Sequence, residues 1–434
     1  MKKTFLTIAA AALVMGFASC SKENEDGPII DEGTPAYLKV SFSTPASPGT
    51  KSSTDINATD AESAFNDIDV FIFNSQGVQV KHERLAASDF EAPTPGSGSD
   101  IWVMKSSAKI ATSTGPKTVI VGINLPAALS TTLNNAMEGN FTKIAQLVAL
   151  ADMTSTKDGF VMFSTKPEDV VLVKDPQGSE NTVNVKVQRI VAKVAVQKAN
   201  NVEVVGDGFM DLSKLMFTLN NTNKKTFYVQ AADKKDHNWA NAPAGDLADG
   251  NTDYVAVDNY GTAVLSLTPK YALENTSEKY RMGEITRVTV RGQFVPKEVL
   301  VWNSGSSSYD VVANTSSTSA QTFYLIVCEN GAERSYFFDR TMALNYFASI
   351  NGNGDFYEYI DGYCYWDIFL NPSGDYYFLR NEFYRCTITK IIGPGRTTPD
   401  VTDPTIPPTQ ATTMLVNIEM LHWNLKPQDV ILEP

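Results

Sequence analysis

The sequence predicts an all-β protein built from two β-sandwich domains with minor helix content. Three observations carry that prediction. Runs of alternating or wholly apolar residues recur along the chain, among them IDVFIF at 68–73, KTVIVGI at 117–123 and VNVKVQRIVAKVAV at 183–196, with the period of two that strands require. Turn-forming clusters such as NSQG at 74–77 and PQG at 176–178 separate them. The composition, 43% hydrophobic and 20% charged over 434 residues, is that of a globular chain long enough for two or three domains. No repeat of solenoid or propeller period is present.

Taken in order, residues 1–20 read as an export signal. Lys2 and Lys3 form its positive end, 5–17 its apolar stretch, and Ala18 and Ser19 the small residues before Cys20. The apolar run is too short to stay in a bilayer as a permanent span. FASC at 17–20 resembles a lipobox, in which Cys20 becomes the acylated first residue of a lipoprotein. SKENEDGP at 21–28 follows as a polar, acidic tether and resembles the acidic surface-export signal of Bacteroidetes lipoproteins.

Residues 36–51, AYLKVSFSTPASPGTK, read as a removable first strand with a loop behind it. Leu38, Val40 and Phe42 alternate with Lys39, Ser41 and Ser43, which puts one face in a core. Pro45, Pro48 and Gly49 end the strand, so Lys51 and Ser52 stand in a loop where a trypsin-like protease reaches the backbone.

Beyond Phe65 the pattern is β. Strand 68–73 pairs through NSQG with a hairpin partner at 78–82, and strands at 101–104, 117–123, 160–163 and 170–173 continue the series. Phe141, Ile144, Leu147, Val148 and Ala151 fall at helical spacing, which predicts one amphipathic helix over 137–151. A domain boundary is expected near Glu180. The second domain then opens on 183–196, where Val183, Val185 and Val187 share a face and Ile190, Ala192, Val194 and Val196 share one after a parity shift near Arg189. Such a shift suggests a bulge. Further strands are expected at 215–219, 226–229, 263–267, 286–294, 322–328, 376–379 and 384–392.

TTPDVTDPTIPP at 397–408 is proline-rich and predicts an extended, unpaired arm. It leads to two short strands, 413–421 with Met414, Val416, Ile418 and Met420 on one face, and 429–432 with Val430 and Leu432. A strand on a stiff arm suits pairing with another molecule. The expected divisions are therefore 1–20 signal, 21–51 tether and removable strand, 52–180 amino-terminal sandwich with an acceptor groove, 181–396 carboxy-terminal sandwich, and 397–434 arm and donor strands.

These features together resemble the fimbrillin family of Bacteroidia, the stalk subunits of lipoprotein-derived (type V) fimbriae. VQRIVAKV at 187–194 and LRNEFYRCTITKIIGPG at 379–395 look like the family's hallmark strands, and WNLKPQDVILEP at 423–434 is similar to the C-termini of short or minor fimbrium stalk subunits. The resemblance implies two transthyretin-like domains and a non-enzymatic, structural role in adhesion and biofilm. It also implies a lipidated outer-membrane precursor and cleavage by a surface protease. The next subunit's C-terminal strand then fills the vacated groove by β-strand addition. Onto this chain that carries Cys20 as lipid site, Lys51 and Ser52 as the cleavage point, Leu38, Val40 and Phe42 as temporary filling, and Val416, Ile418, Met420, Val430 and Leu432 as donor side chains. The implied partners are copies of the chain, tip and anchor subunits, the protease and the outer membrane. The best-known members are cut after arginine, whereas the first arginine here is Arg84, beyond strand 68–73.

Other function classes fare worse. The net charge is −13, and residues 1–51 hold five Lys and five Asp or Glu, so the remainder keeps that charge. A nucleic-acid footprint is missing. Only His82, His237 and His422 occur, and no HExxH, paired CxxC, P-loop or dinucleotide glycine pattern is present. Catalytic residues, metal and cofactor are accordingly not expected. NGNGDFYEYID at 351–361 has oxygens at alternate positions but lacks the calcium-loop glycine, and reads as a surface turn. Tyr357, Tyr359, Tyr363, Tyr365 and Trp366 read as cross-strand packing. Cys328, Cys364 and Cys386 permit one disulfide and require none. The alternative reading is a tip adhesin or a glycan-binding surface lipoprotein.

Overall fold

The structure is a computed structural model that describes residues 33–43, 58–92, 101–175, 180–240, 245–316, 320–328, 333–370, 375–401, 405–408 and 414–423. In the amino-terminal half the strands are β1 (Pro35–Ser43), β2 (Asp67–Phe73), β3 (Gln79–Ala86), β4 (Phe90–Glu91), β5 (Ile101–Met104), β6 (Ile110–Ser113), β7 (Gly115–Ile123), β8 (Met162–Ser164), β9 (Glu168–Leu172) and β10 (Thr182–Arg189). Their hydrogen-bonded order is β3-β2-β7-β8-β10-β1-β5-β4, with β9 beside β7 and β6 beside β1. Leu38, Val40 and Phe42 of β1 share one core with Ile68, Val70 and Ile72 of β2 and Val119 and Val121 of β7. Strands four places apart along the path meet across that core, so the sheet folds over itself into a sandwich. β2 is buried on both faces: Phe71 and Phe73 point into a second core at the junction with the other domain.

The carboxy-terminal half continues with β11 (Val191–Val204), β12 (Met216–Asn220), β13 (Lys270–Leu273), β14 (Arg287–Pro296), β15 (Glu298–Asn303), β16 (Ser308–Ala313), β17 (Phe323–Val327), β18 (Arg334–Phe337), β19 (Asp355–Tyr359), β20 (Tyr363–Phe369), β21 (Glu382–Ile391) and β22 (Met414–His422). One sheet runs β13-β11-β21-β22 and the other sets β14 between β12 and β20. Val194, Val196, Tyr384 and Ile388 of the first meet Phe217, Val288, Val290 and Trp366 of the second. Strands β15 to β19 and one helix form an outlying unit with its own small core of Tyr324, Ile326, Phe337 and Ala343.

The short helices are α1 (Asp60–Ser63), α2 (Ala127–Leu133), α3 (Gly139–Thr142), α4 (Leu150–Met153) and α5 (Arg340–Ser349). The helix expected over 137–151 is broken into α3, a strand pair at Gln146–Leu147 and α4. Phe141 is buried, yet Ile144 and Leu147 are 51% and 72% exposed, because Gln146–Leu147 pairs with Lys225–Thr226 instead of continuing a helix. α5 was not among the expected elements. Its signal was present in Asp339, whose carboxylate caps the Met342 amide at 2.8 Å, and in Met342, Tyr346 and Ile350 at four-residue spacing.

Two other expectations are corrected. The run 183–196 is two strands in two sheets: β10 pairs with β1 and β8, whereas β11 pairs with β13 and β21. The parity shift at Arg189 therefore marks the passage between domains, which falls at Ile190 rather than near Glu180. Of the later strands, 263–267 is a 3-10 turn and 376–379 contributes a single bridge at Phe378. Cys364 and Cys386 are buried, Cys328 is half-buried, and all three are free thiols. Tyr359 and Trp366 are core residues of different sheets, and Tyr357 and Tyr363 are exposed. Asn351 and Gly352, with φ of 59° and 68°, make the turn that leads out of α5.

Candidate functional site

β1 is the strand nearest the start of the described chain and lies inside its sheet. Residues Lys39 to Ser43 run parallel to Thr182 to Lys186 of β10. On its other edge, Pro35 to Leu38 pair antiparallel with β6 and Ser41 to Ser43 with β5. The Lys39 amide donates to the Asn181 carbonyl at 2.9 Å, and Ser41 Oγ donates to Asn184 Oδ1. Among the described residues, strands β4, β5 and β6 join the rest of the sheet by strand pairing only through β1. Taking β1 away would leave a slot with unpaired backbone on both walls.

The slot is lined for alternate side chains. Ala36, Leu38, Val40 and Phe42 are each at most 2% exposed, while the residues between them are half-buried. Phe42 is the largest of these side chains, edge-on to Phe65 at 4.8 Å and Phe90 at 5.6 Å, and stacked on Trp102 at 6.1 Å. Burial of Leu38, Val40 and Phe42 contributes about 5–9 kcal/mol at roughly 1.5–3 kcal/mol each. Leu38, Val40 and Phe42 thus lie together in one core. Lys51 and Ser52, in the loop that follows, lie outside the described residues, as does Cys20.

At the other end of the chain, the strand expected to stand free does not. β22 lies antiparallel on β21 over its whole length, with Ile418 opposite Cys386, Val416 opposite Ile388 and Met420 opposite Tyr384. Met414 is 5% exposed, and Val416 and Ile418 pack against the carboxy-terminal core. Without β22, β21 would present an open edge over that core. Val430 and Leu432 lie outside the described residues.

Segments of both domains meet around Arg189 at the junction. Arg189, the last residue of β10, donates from Nε to the Glu62 carbonyl at 2.8 Å, and from Nη1 to the Trp423 carbonyl at 2.7 Å and Asn381 Oδ1 at 3.2 Å. Its guanidinium lies 4.2 Å over the Trp423 ring. Tyr271 stacks against the same indole at 5.7 Å, and Phe160 meets it edge-on at 5.8 Å. Trp423 is 2% exposed. The Glu62 carboxylate accepts from Lys193 Nζ at 2.9 Å, Tyr271 OH at 2.6 Å and the Thr59 amide at 2.6 Å. Burial pushes Glu62 up, but Lys193 and these hydrogen bonds together hold it below its ordinary value. Burial draws Arg189 down to about 9, against the pull of Glu62. It therefore stays charged at neutral pH.

Neither Arg189, Glu62 nor Trp423 was foreseen as a site residue. The parity shift at Arg189 and the lone tryptophan after β22 were the available signals. Each lacked a partner until the fold supplied one.

Two family models match the chain and together span more than half of it. The one described as major fimbrial subunit protein (FimA) matches residues 36–204, and the one described as major fimbrial subunit protein type IV, fimbrillin, C-terminal, matches residues 357–429. The minor fimbrium subunit Mfa1 of Porphyromonas gingivalis is 25% identical over 71% of this chain and 70% of its own. The crystal structure of a fimbrilin (FimA) from Porphyromonas gingivalis superposes with a TM-score of 0.50 at 14% identity, covering 92% of this chain and 99% of that one. The two family models and the Mfa1 relative converge on one identity, and the chain belongs to the fimbrillin family of fimbrial subunits of Bacteroidia.

Proposed function

We propose that the protein is a stalk subunit of a cell-surface fimbria, exported as a lipoprotein through Cys20 and polymerised by protease-triggered donor-strand exchange. The observation that carries this reading is the interior place of β1. β1 has strand partners on both sides and four side chains in the core, so its removal would open a two-walled slot. The loop behind it contains Lys51. Cutting there turns β1 from an intramolecular strand into a separate peptide and removes its advantage in effective concentration. A strand of the next subunit then pairs with both walls and fills the pockets of Leu38, Val40 and Phe42. The C-terminal segment from Met414 to Leu432 is its source.

The test is brief trypsin treatment of purified precursor, followed by N-terminal sequencing and electron microscopy. Fibres whose subunits begin at Ser52, and a Lys51→Ala variant that stays monomeric, are the expected result. Trypsin-treated Lys51→Ala polymerising at the wild-type rate would place the gate elsewhere. Cleaved wild type that never forms fibres would favour a tip adhesin.

A further inference from the structure

We propose that the cleft between β15 and β18 is a binding site for an extended, basic segment of another polypeptide, which enters it as a strand. The cleft has a volume of about 800 Å³, within the usual range for ligand sites. It belongs to the outlying unit of the carboxy-terminal half, and no residue of the β1 slot lines it. The proposal is therefore independent of strand exchange. β15 pairs with β16 alone and β18 with β17 alone, so among the described residues each has one edge without a ladder. The two strands are neighbours all the same, and both line the cleft. Two free strand edges on one cleft offer backbone donors and acceptors to a guest strand on both its sides.

The walls are tied to one point and not to each other. Asp207, in the turn after β11, accepts at its carbonyl from the Lys297 amide, directly before β15, at 2.6 Å. Its carboxylate accepts from Tyr336 OH, on β18, at 3.3 Å. Lys297 Nζ adds a bond to the Gly206 carbonyl at 3.0 Å, and the Tyr336 ring, 4% exposed, stacks on Phe294 at 6.2 Å and so fixes β18 on the main core. A guest strand meets walls that are already placed, which lowers the ordering cost of binding. Leu300 and Val311, directly opposed on β15 and β16, both line the cleft. They give one face of the guest an apolar surface.

The charges choose the guest. Asp207, Glu298 and Glu333 line the cleft against Lys297 and Arg334, and the Lys297 ammonium is held at the Gly206 carbonyl. Basic side chains on the guest complete that balance, and the net charge of −13 draws the same sign of partner to the molecule. Exposed Glu298 and Glu333 also guard the two edges against a second copy of this acidic chain. A saccharide is the poorer fit. Tyr336 is the one aromatic side chain lining the cleft, and its ring is part of the core.

The probe is a fluorescent peptide of alternating valine and lysine, blocked at both ends and matched to the six residues of β15. It is titrated by anisotropy into uncleaved precursor, in which β1 still fills its own slot. The peptide is expected to bind at least tenfold more tightly than one with glutamate in place of lysine. It should also bind at least tenfold more tightly than a version methylated on alternate amides, which denies one wall its donors. Bound peptide should slow hydrogen exchange at least tenfold within β15 and β18. Glu298→Lys with Glu333→Lys, both at exposed positions, should weaken binding at least tenfold at an unchanged melting temperature. Equal affinity for the acidic or the methylated peptide, unchanged affinity in the double variant, or protection confined to other strands would each overturn the proposal. So would the absence of binding at about 1 mM peptide, the weak end of recognition. Protection of β15 and β18 by lactose and not by the peptide would overturn it in favour of a saccharide site.

Discussion

Lys193 Nζ lies 2.9 Å from Glu62 Oε1, with both side chains 1% exposed. One residue belongs to the turn that precedes β2 and the other to β11, so the pair is a charged rivet between the domains. Glu62→Gln leaves the Lys193 charge buried without its counter-charge and is expected to cost about 3–5 kcal/mol. A Glu62→Leu, Lys193→Met double variant should recover much of that loss. Urea melts of the three proteins check this.

The same carboxylate sets an acid limit. Its folded-state pKa is below the ordinary 4.5, so the stability it contributes is fully present above that value and is lost as pH falls through the lower folded value. Melting temperature should therefore fall more steeply below pH 4.5 in wild type than in the double variant. Parallel slopes would show that other carboxylates carry the acid response.

Leu38→Ala removes a fully buried side chain from β1. The precursor should lose about 2–5 kcal/mol, the range for such cavities. Once the following loop is cut, the strand peptide should also leave at least tenfold faster. Denaturant titration and peptide release followed by mass spectrometry give the two numbers.

Arg380 donates from Nη1 to the Tyr228 carbonyl at 2.9 Å, and from Nη2 to Thr226 Oγ1 and the Phe227 carbonyl at 2.8 Å each, and pairs with Glu274. Tyr228 in turn stacks on Phe163 of the amino-terminal domain at 4.8 Å. Arg380→Met should cost about 3–5 kcal/mol by stranding Glu274, and should expose the 225–229 segment to proteolysis before global unfolding.

Burial raises the Cys386 thiol to about 12 and the Cys364 thiol further, and the thiolate is the reactive form. In native protein, iodoacetamide should modify Cys328 at least a hundredfold faster than either. Equal labelling, read by peptide mass spectrometry, would show that the carboxy-terminal core opens.

Strand identity was legible in the sequence because alternation is a local property. Leu38, Val40 and Phe42 had to share a face once the segment was extended, and an apolar face has to be buried. The family motifs at 187–194 and 379–395 were legible for the same reason: each is a contiguous stretch. The helix over 137–151 failed because helical spacing does not say whether a neighbour will compete for the backbone, and Lys225–Thr226 competes.

What only the tertiary structure decided is partnership. Nothing local in β1 says that its edge will run beside Asn184, 143 residues away, or that removing it would detach β4, β5 and β6. The run 183–196 carries two patterns of burial, but only the fold shows that they belong to two sheets with Arg189 at the crossing. The proline-rich arm looked like a way to hold a strand away from its domain. Yet an uncovered edge on β21 and an indole-sized space beside Arg189 are non-local features, and together they draw 414–423 home. The sequence by itself determined which segments are strands and which of their faces are apolar, since both depend on neighbours along the chain. Which strand covers which edge depends on surfaces that exist only after the domains have packed.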